Sequence, residues 1–421
     1  MLVVFLGIVF AFFVISYVDR KDFTSPNFLL ATSFLLAALV FVWNIDNWEI
    51  VIYRKTILYV VTAMISFSVA MMLVRAFSNN KVLVDNSEIL ERRYEGRNFF
   101  VLAFISVVCS FIYIVISFHG RGSLLNLSQL LNAAYTEATS TNEGNVFLSQ
   151  MKEIPIAIAY VATYYIFFSK DKQVRMKKKW LFIAILSFIV LSVFTTDRNI
   201  LLRYVIYAVC LWILFYKNRI GTTKRKNNRV IIKRVLLILI IVSVAFYGLG
   251  KAKRYASNFE RMVGTYAGSG LYNFNLTIDT NETLRYGART FKSLTKTVNA
   301  LMGNRSNEVS HGTFINFKSS NGYIYSSNIY SALKPYKDDF GYFGVILFPF
   351  IWGAFFEFLF YMTKRRTYGF TWIFYAMSVY SILYFSIQEQ FFARLHLGRA
   401  YEIFWVGFFY FIAFKVRIKF R

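Results

Sequence analysis

Residues 1–18 read MLVVFLGIVFAFFVISYV, a run without a single charged side chain. As a helix it rises about 27 Å at 1.5 Å per residue, close to the ~30 Å hydrocarbon core of a bilayer. No basic segment precedes it and no A-x-A cleavage site follows, so the run is expected to be a retained first helix rather than a signal peptide. Working outward, apolar runs of similar length recur at about 27–43, 56–74, 98–118, 154–169, 180–195, 200–216, 235–250, 341–362, 370–387 and 400–415. The sequence therefore predicts an all-α polytopic membrane protein with about 11 transmembrane helices (10–12).

Composition agrees. Of 421 residues, 57% are hydrophobic, 20% aromatic and 17% charged, against about 25% charge in soluble domains. Cys109 and Cys210 both lie inside apolar runs, which argues against a disulfide framework or a CxxC metal site. The three histidines show no HExxH spacing, and no Walker A loop, GxGxxG fingerprint or GxSxG elbow is present. No cofactor and no metal is expected, and any chemistry must draw on a substrate that brings its own energy. The net charge of +26 is spread over short inter-helix loops. Topology signals and an anionic lipid-linked ligand account for it better than nucleic acid.

Basic connections at 170–179, 217–234, 364–366 and 415–421 are expected to be cytoplasmic by the positive-inside rule. Alternation then places 44–55, 119–153, 195–199, 251–340 and 388–399 on the outer face. Three parts follow: residues 1–250 with eight spans, a large outer loop at 251–340, and residues 341–421 with three spans and a basic tail. The loop carries twelve Lys/Arg against six Asp/Glu, but long loops escape the rule. Placing it inside would instead export the eight cations of 217–234. In the smaller outer loop, Leu124, Leu127, Leu131 and Ala134 recur at helical spacing, which predicts an interfacial helix.

Within the large loop, Phe291, Leu294, Val298 and Leu301 fall on one helical face, and Arg289, Lys292 and Lys296 on nearly the opposite one. Gly303 supplies a stop. The pattern predicts an amphipathic helix that packs its apolar face on the bundle and directs its cations away, with Arg285 one turn earlier extending the stripe. Lys251, Lys253, Arg254, Arg261 and Arg305 bracket it. A solvated basic face and an anion site both fit the stripe, and its outer position favours the anion site, since arginine makes bidentate phosphate contacts. In FTTDRNILLR, Arg198 occupies an outer turn beside Asp197, which offers it a simple pairing. Arg203 lies about 7.5 Å deeper by helical rise, where it either snorkels or faces a polar cavity. Arg394 and Arg399 flank His396 in the last outer turn. His311, Asp338, Asp339, Asp279 and Glu282 are the acid–base candidates, with helix capping an equally good reading of Asp339.

FTTDRNILLR, YGARTF (286–291) and NIYSALKPYKDDFGYFG (328–344) together resemble the Wzy-type oligosaccharide repeat unit polymerases, the O-antigen polymerase family. The resemblance implies a GT-C-like architecture in the bacterial cytoplasmic membrane, with the C-terminus cytoplasmic. It implies a metal-independent glycosyltransferase that moves a glycan from undecaprenyl pyrophosphate to another lipid-linked repeat unit for capsule, O-antigen or exopolysaccharide. A flippase and a chain-length regulator are the implied partners. The resemblance carries over to Arg198, Gly287, Thr290, Asn328, Tyr330, Asp339, Gly341 and Gly344. It sets the catalytic expectation at Arg198, Arg254, Arg289, His311 and Asp339. Substrate binding is expected at Arg203, Lys251, Arg261, Arg285, Lys292, Lys296, Asn328, Tyr330 and Arg394. A pyrophosphate leaving group is already activated, arginines would stabilise the charge that develops on it, and a base would take the acceptor proton. Two alternatives remain: a lipid-linked oligosaccharide flippase, disfavoured because no repeated halves are visible, and an O-antigen ligase-type transferase.

Overall fold

A computed structural model describes residues 1–78, 84–85, 96–118, 146–171, 178–195, 198–220, 225–252, 263–279, 284–302, 315–318, 324–395 and 397–416. In chain order its helices are α1 (Leu2–Arg20), α2 (Pro26–Trp43), α3 (Ile45–Trp48), α4 (Arg54–Phe77), α5 (Gly96–Phe118), α6 (Val146–Asp171) and α7 (Lys179–Phe194). There follow α8 (Arg198–Ile220), α9 (Arg225–Ala252), α10 (Ser269–Leu276), α11 (Lys292–Leu301), α12 (Leu333–Arg365), α13 (Phe370–Leu383) and α14 (Leu397–Lys415). A π-helical turn, Gly264–Gly268, leads into α10. Two short ladders complete the described residues. Val84–Asp85 pairs in parallel with Arg366–Thr367, and Ile315–Lys318 runs antiparallel to Ile324–Ser327. This hairpin inside the large loop has no counterpart in the helical expectation.

Each of the eleven apolar runs coincides with a helix. Six of these helices, α1, α2, α4, α5, α8 and α12, are long and apolar enough to cross a membrane among the described residues, while α7 and α13 are apolar but shorter. This is the make-up of a helical membrane protein. α13 stops at Leu383, four residues short of the expected limit. There the backbone turns aside to pair with another segment: the Phe385 carbonyl accepts the Ala332 N–H (2.9 Å) and the Ser331 hydroxyl (3.1 Å). Those two donors take the place of the one helical N–H that the Phe385 carbonyl would otherwise accept.

The chain forms two compact units. The first comprises Met1–Lys81, Asn258–Met362 and Ser378–Leu397. In it α2 packs on α1, on α4 and on the π-turn, around Phe5, Phe34, Phe41 and Trp48. Polar side chains on α10 tie this unit together. Asn275 accepts the Tyr53 N–H (3.0 Å) and the Thr56 hydroxyl (2.8 Å) and donates to the Val51 carbonyl (2.8 Å). Asn273 donates to the Ile329 carbonyl (2.8 Å), and the Tyr272 hydroxyl donates to the Trp48 carbonyl (3.0 Å). At another corner Glu357 binds Arg20, with Arg75 at 3.9 Å.

The second unit comprises Val82–Ser257, Thr363–Met377 and Gly398–Arg421. Here α5, α6 and α7 pack mutually and α8 lies on α6, around Tyr160, Tyr164, Tyr207, Phe215 and Phe414. Buried backbone groups that helices leave open are closed by side chains, as an apolar surround requires. The Asn98 amide donates to the carbonyls of Ile412 and Val416, both at 2.8 Å. The Tyr164 hydroxyl accepts the Gly369 N–H at 2.7 Å.

Candidate functional site

A polar constellation in the first unit joins the two segments YGARTF and KPYKDDFG. Their backbones pair: the Arg285 N–H donates to the Asp338 carbonyl (3.3 Å) and the Tyr286 N–H to the Asp339 carbonyl (3.2 Å). Asp339, fully buried, then accepts the N–H groups of Arg289 (3.0 Å) and Thr290 (2.6 Å). The Thr290 hydroxyl donates to the Pro335 carbonyl at 3.3 Å. A carboxylate suits that place, because backbone N–H groups at a helix start point outward unpaired and carry partial positive charge. Asp339 therefore caps the turn that leads into α11, not the start of α12. Its oxygens are engaged as acceptors, which makes it an anchor of the site rather than a free base.

Local backbone chemistry explains the fit. α12 is two helical pieces joined at Gly341, whose φ of 62° and ψ of −147° are non-helical and open mainly to glycine. The bend lets Asp338 and Asp339 turn toward 285–290 before the long apolar run begins. At Gly344 a Cβ would sit on the Tyr336 carbonyl oxygen, so the two pieces approach closely only with glycine there. Gly287, at φ 97°, turns the chain between Arg285 and α11. Arg285 consequently lies ahead of the helix, exposed, and does not extend the helical stripe as the spacing predicts.

Asp338, 3% exposed, gathers two cations on one oxygen. The Arg289 guanidinium pairs with Oδ2, and Lys334 Nζ lies 3.1 Å from it. Lys334 is one helical turn before Asp338, and its ammonium also lies 5.1 Å from the centre of the Tyr330 ring. Arg289 keeps 29% of its side chain exposed, whereas Lys334 is buried. Asn328 is exposed beside buried Tyr330. On α11, Lys292 is half-buried; burial lowers its ammonium below the ordinary lysine range, and the neighbouring Lys296 lowers it further. Asp338 thus holds two cations, Arg289 and Lys334, while Arg285, Lys292 and Lys296 add positive charge along the adjoining 285–296 segment.

A third carboxylate fixes the adjoining turn. Glu389 is buried and accepts the N–H groups of Phe391 (3.0 Å), Phe392 (2.8 Å) and Ala393 (2.5 Å) and the Tyr336 hydroxyl (3.1 Å). Burial pushes its carboxyl up, against the pull of those donors. The tight turn it fixes places Phe392 against Phe291, Tyr336 and Phe348, at ring separations of 5.2–6.2 Å. Nothing in the sequence reading singled out Glu389; a lone carboxylate in YFSIQEQFF was the available signal. Lys334 was also missed, though its i,i+4 spacing to Asp338 marks it.

The expected apolar face of α11 is only partly realised. Phe291 packs against Phe348 and Phe392, but Leu294 and Val298 stay 45% and 38% exposed. The helix forms as predicted, and the Leu294–Val298 part of its stripe stays partly open. Arg203 also differs from the expectation of a cation facing a polar cavity. In the second unit it is buried and lies 3.5 Å from Glu402. Glu402 also pairs with Arg399, and Glu153 interacts electrostatically with Glu402, Arg203 and Arg399. Asp279 pairs with Lys55 at the surface.

Arg254, Arg261 and His311 lie outside the described residues, as do Glu282, Gly303 and the 124–134 segment. Arg198, Lys251 and Arg394 are described by backbone position only. Among the described residues no group of three or more His, Cys, Asp or Glu side chains converges as a metal site. Family models, characterised proteins and solved structures yield no match to this chain.

Proposed function

We propose that the chain polymerises undecaprenyl-pyrophosphate-linked oligosaccharide repeat units at the outer face of the bacterial cytoplasmic membrane, as a polytopic enzyme of about eleven spans with a GT-C-like plan. The observation that carries this reading is the clasp between YGARTF and KDDFG. It holds partly exposed Arg289 and buried Lys334 on one Asp338 oxygen, beside the start of a long apolar helix. A pyrophosphate arriving on a polyprenyl chain needs cations at that level, and the Arg289 side chain keeps 29% of its surface exposed there.

In the proposed reaction an acceptor hydroxyl oxygen attacks the anomeric carbon of the donor glycan. The bond from that carbon to the pyrophosphate oxygen breaks, and the lipid pyrophosphate leaves with the electron pair. Arg289, with Arg285 and Lys292 nearby, stabilises the charge that gathers on the leaving group. The acceptor proton goes to a base. Asp339 is occupied by backbone donors, so this role falls to His311, the other base expected from the sequence. Asp339 and Thr290 act as positioning residues. Arg198, Arg254, Lys251, Arg261 and Arg394 remain candidates for further diphosphate contacts, Asn328 and Tyr330 for sugar contacts, and Arg203 is reassigned to a structural pair.

Reconstitution with a purified lipid-linked repeat unit tests the reading. A product ladder is expected for the wild type, none for Arg289→Ala, and a strongly reduced one for His311→Ala. Movement of the intact unit across the bilayer without lengthening would instead assign a transporter.

A further inference from the structure

α11 is the amphipathic helix of the large loop, and beyond Phe291, which packs on Phe348 and Phe392, the described part of its apolar side stays partly open. Leu294, Val298 and Met302 recur every four residues and are 45%, 38% and 71% exposed. Lys292 and Lys296 lie round the other side of the helix. Its attachment fixes where that face sits. Asp339 holds the Arg289 and Thr290 N–H groups, two residues before the bend at Gly341 from which the apolar run of α12 proceeds. α11 therefore starts at the level where α12 passes into its apolar layer.

The residues around this junction are exposed and apolar too: Leu284 (46%), Tyr286 (80%), Tyr342 (42%) and Phe343 (63%). Leu284 lies beside Gly341, so this patch adjoins the apolar flank of a helix long enough to cross a membrane. Tyrosines at such a level are the usual mark of the bilayer interface. A helix with one apolar face, one lysine-bearing face and low overall hydrophobicity lies in that interface rather than across it.

We propose that α11 is an interfacial helix. Its Leu294–Val298–Met302 face rests among the acyl chains of the leaflet at the Gly341 end of α12, with Lys292 and Lys296 on the aqueous side. The lipid surface then completes the packing that the protein leaves open and fixes Arg289 at headgroup depth. The inference needs no polymerase activity and stands or falls separately from it.

The test uses full-length protein with Cys109→Ala and Cys210→Ala, reconstituted in phosphatidylcholine nanodiscs. Single cysteines replace Leu294, Val298 or Lys296 and carry an environment-sensitive fluorophore. Labels at 294 and 298 are expected to emit to the blue of the label at 296, to be quenched severalfold more by doxyl-lipid, and severalfold less by iodide. Equal iodide quenching at all three positions would show a solvated helix and overturn the proposal. Shielding of 294 and 298 from both quenchers would also overturn it, by showing protein cover. Should the cysteine-free background fail to fold, a photo-crosslinking amino acid at Val298 in the otherwise native chain decides the matter: adducts to lipid support the proposal, and adducts only to protein contradict it.

Discussion

Two charge clusters, one in each unit, show how similar residues come to different ends. In the second unit Arg203 and Arg399 converge on Glu402, with Glu153 close by. Two arginines, with Lys152 acting on Glu153 as well, meet two carboxylates, and Arg203 is buried. The Arg203 and Glu402 side chains are 9% and 5% exposed, so an incoming anion has little access to them. In the first unit Arg289 and Lys334 share one Asp338 oxygen, Asp339 is spent on backbone N–H groups, and Arg285, Lys292 and Lys296 add positive charge on the adjoining residues. There the guanidinium is partly exposed and the surplus is positive. An arginine in an apolar stretch is thus not by itself a ligand site; both arginines meet a carboxylate, and what separates them is that 29% of the Arg289 side chain stays exposed against 9% of Arg203.

The comparison breaks most easily on paired alanine substitutions. Arg289→Ala is expected to lower polymer formation by about 10²–10³-fold, the usual loss when one charge-stabilising donor is removed. Its melting temperature should change little, since Lys334 still neutralises Asp338. Arg203→Ala should do the reverse, costing roughly 3–5 kcal/mol of stability by stranding part of a buried ion cluster. Replacing Arg203 and Glu402 together by Met should recover much of that loss. If Arg203→Ala instead proves stable and inactive, the distinction between the two clusters collapses.

A smaller effect sharpens the role of Asp339. Asp339→Asn keeps a carbonyl for the N–H groups that meet Oδ2 but loses the charge and sets an NH2 where Oδ1 accepts the Arg289 N–H at 3.2 Å, and should cost about 1–3 kcal/mol. Activity should fall with the loss of order at 285–290, while the pH profile keeps its shape, because a positioning residue does not exchange the reacting proton. Gly341→Ala comes next, at about 1–2 kcal/mol for holding an alanine at positive φ, with room for its Cβ, whose nearest neighbour is Leu284 at 3.8 Å. Both are read by thermal unfolding in detergent.

The smallest expected effect is electrostatic. Burial and Lys296 both lower the Lys292 ammonium, so it loses its proton earlier than an ordinary lysine as pH rises. Because this folded-state value is depressed, the charged form opposes folding, and that cost disappears as pH climbs through it. Lys296→Gln removes the like charge and should move the Lys292 titration upward, as followed by ¹³C-methyl labelling. No movement would separate the two lysines.

Most of the fold was legible because it rests on apolar run length, which bilayer thickness dictates. The amphipathic period of 291–301 was legible for the same kind of reason, although the pattern could not say what covers it. Periodicity names a face and is silent on whether protein or lipid meets it. The pairing of YGARTF with KDDFG was not legible, because it depends on positive-φ turns at Gly287 and Gly341 that bring residues fifty positions apart into backbone register. Arg203 misled for a related reason: depth in a helix was visible, but its partner Glu402 lies about two hundred residues away. The hairpin at 315–327 escaped because strands of four residues leave too short an alternation to read.

The most direct test of the central claim is a reconstituted assay with a purified undecaprenyl-pyrophosphate-linked repeat unit, run side by side on wild type and on folded Arg289→Ala and Arg203→Met/Glu402→Met proteins. The account predicts a ladder of lengthened glycans from the wild type and from the double variant, and none from Arg289→Ala. A ladder from Arg289→Ala equal to that of the wild type would contradict it.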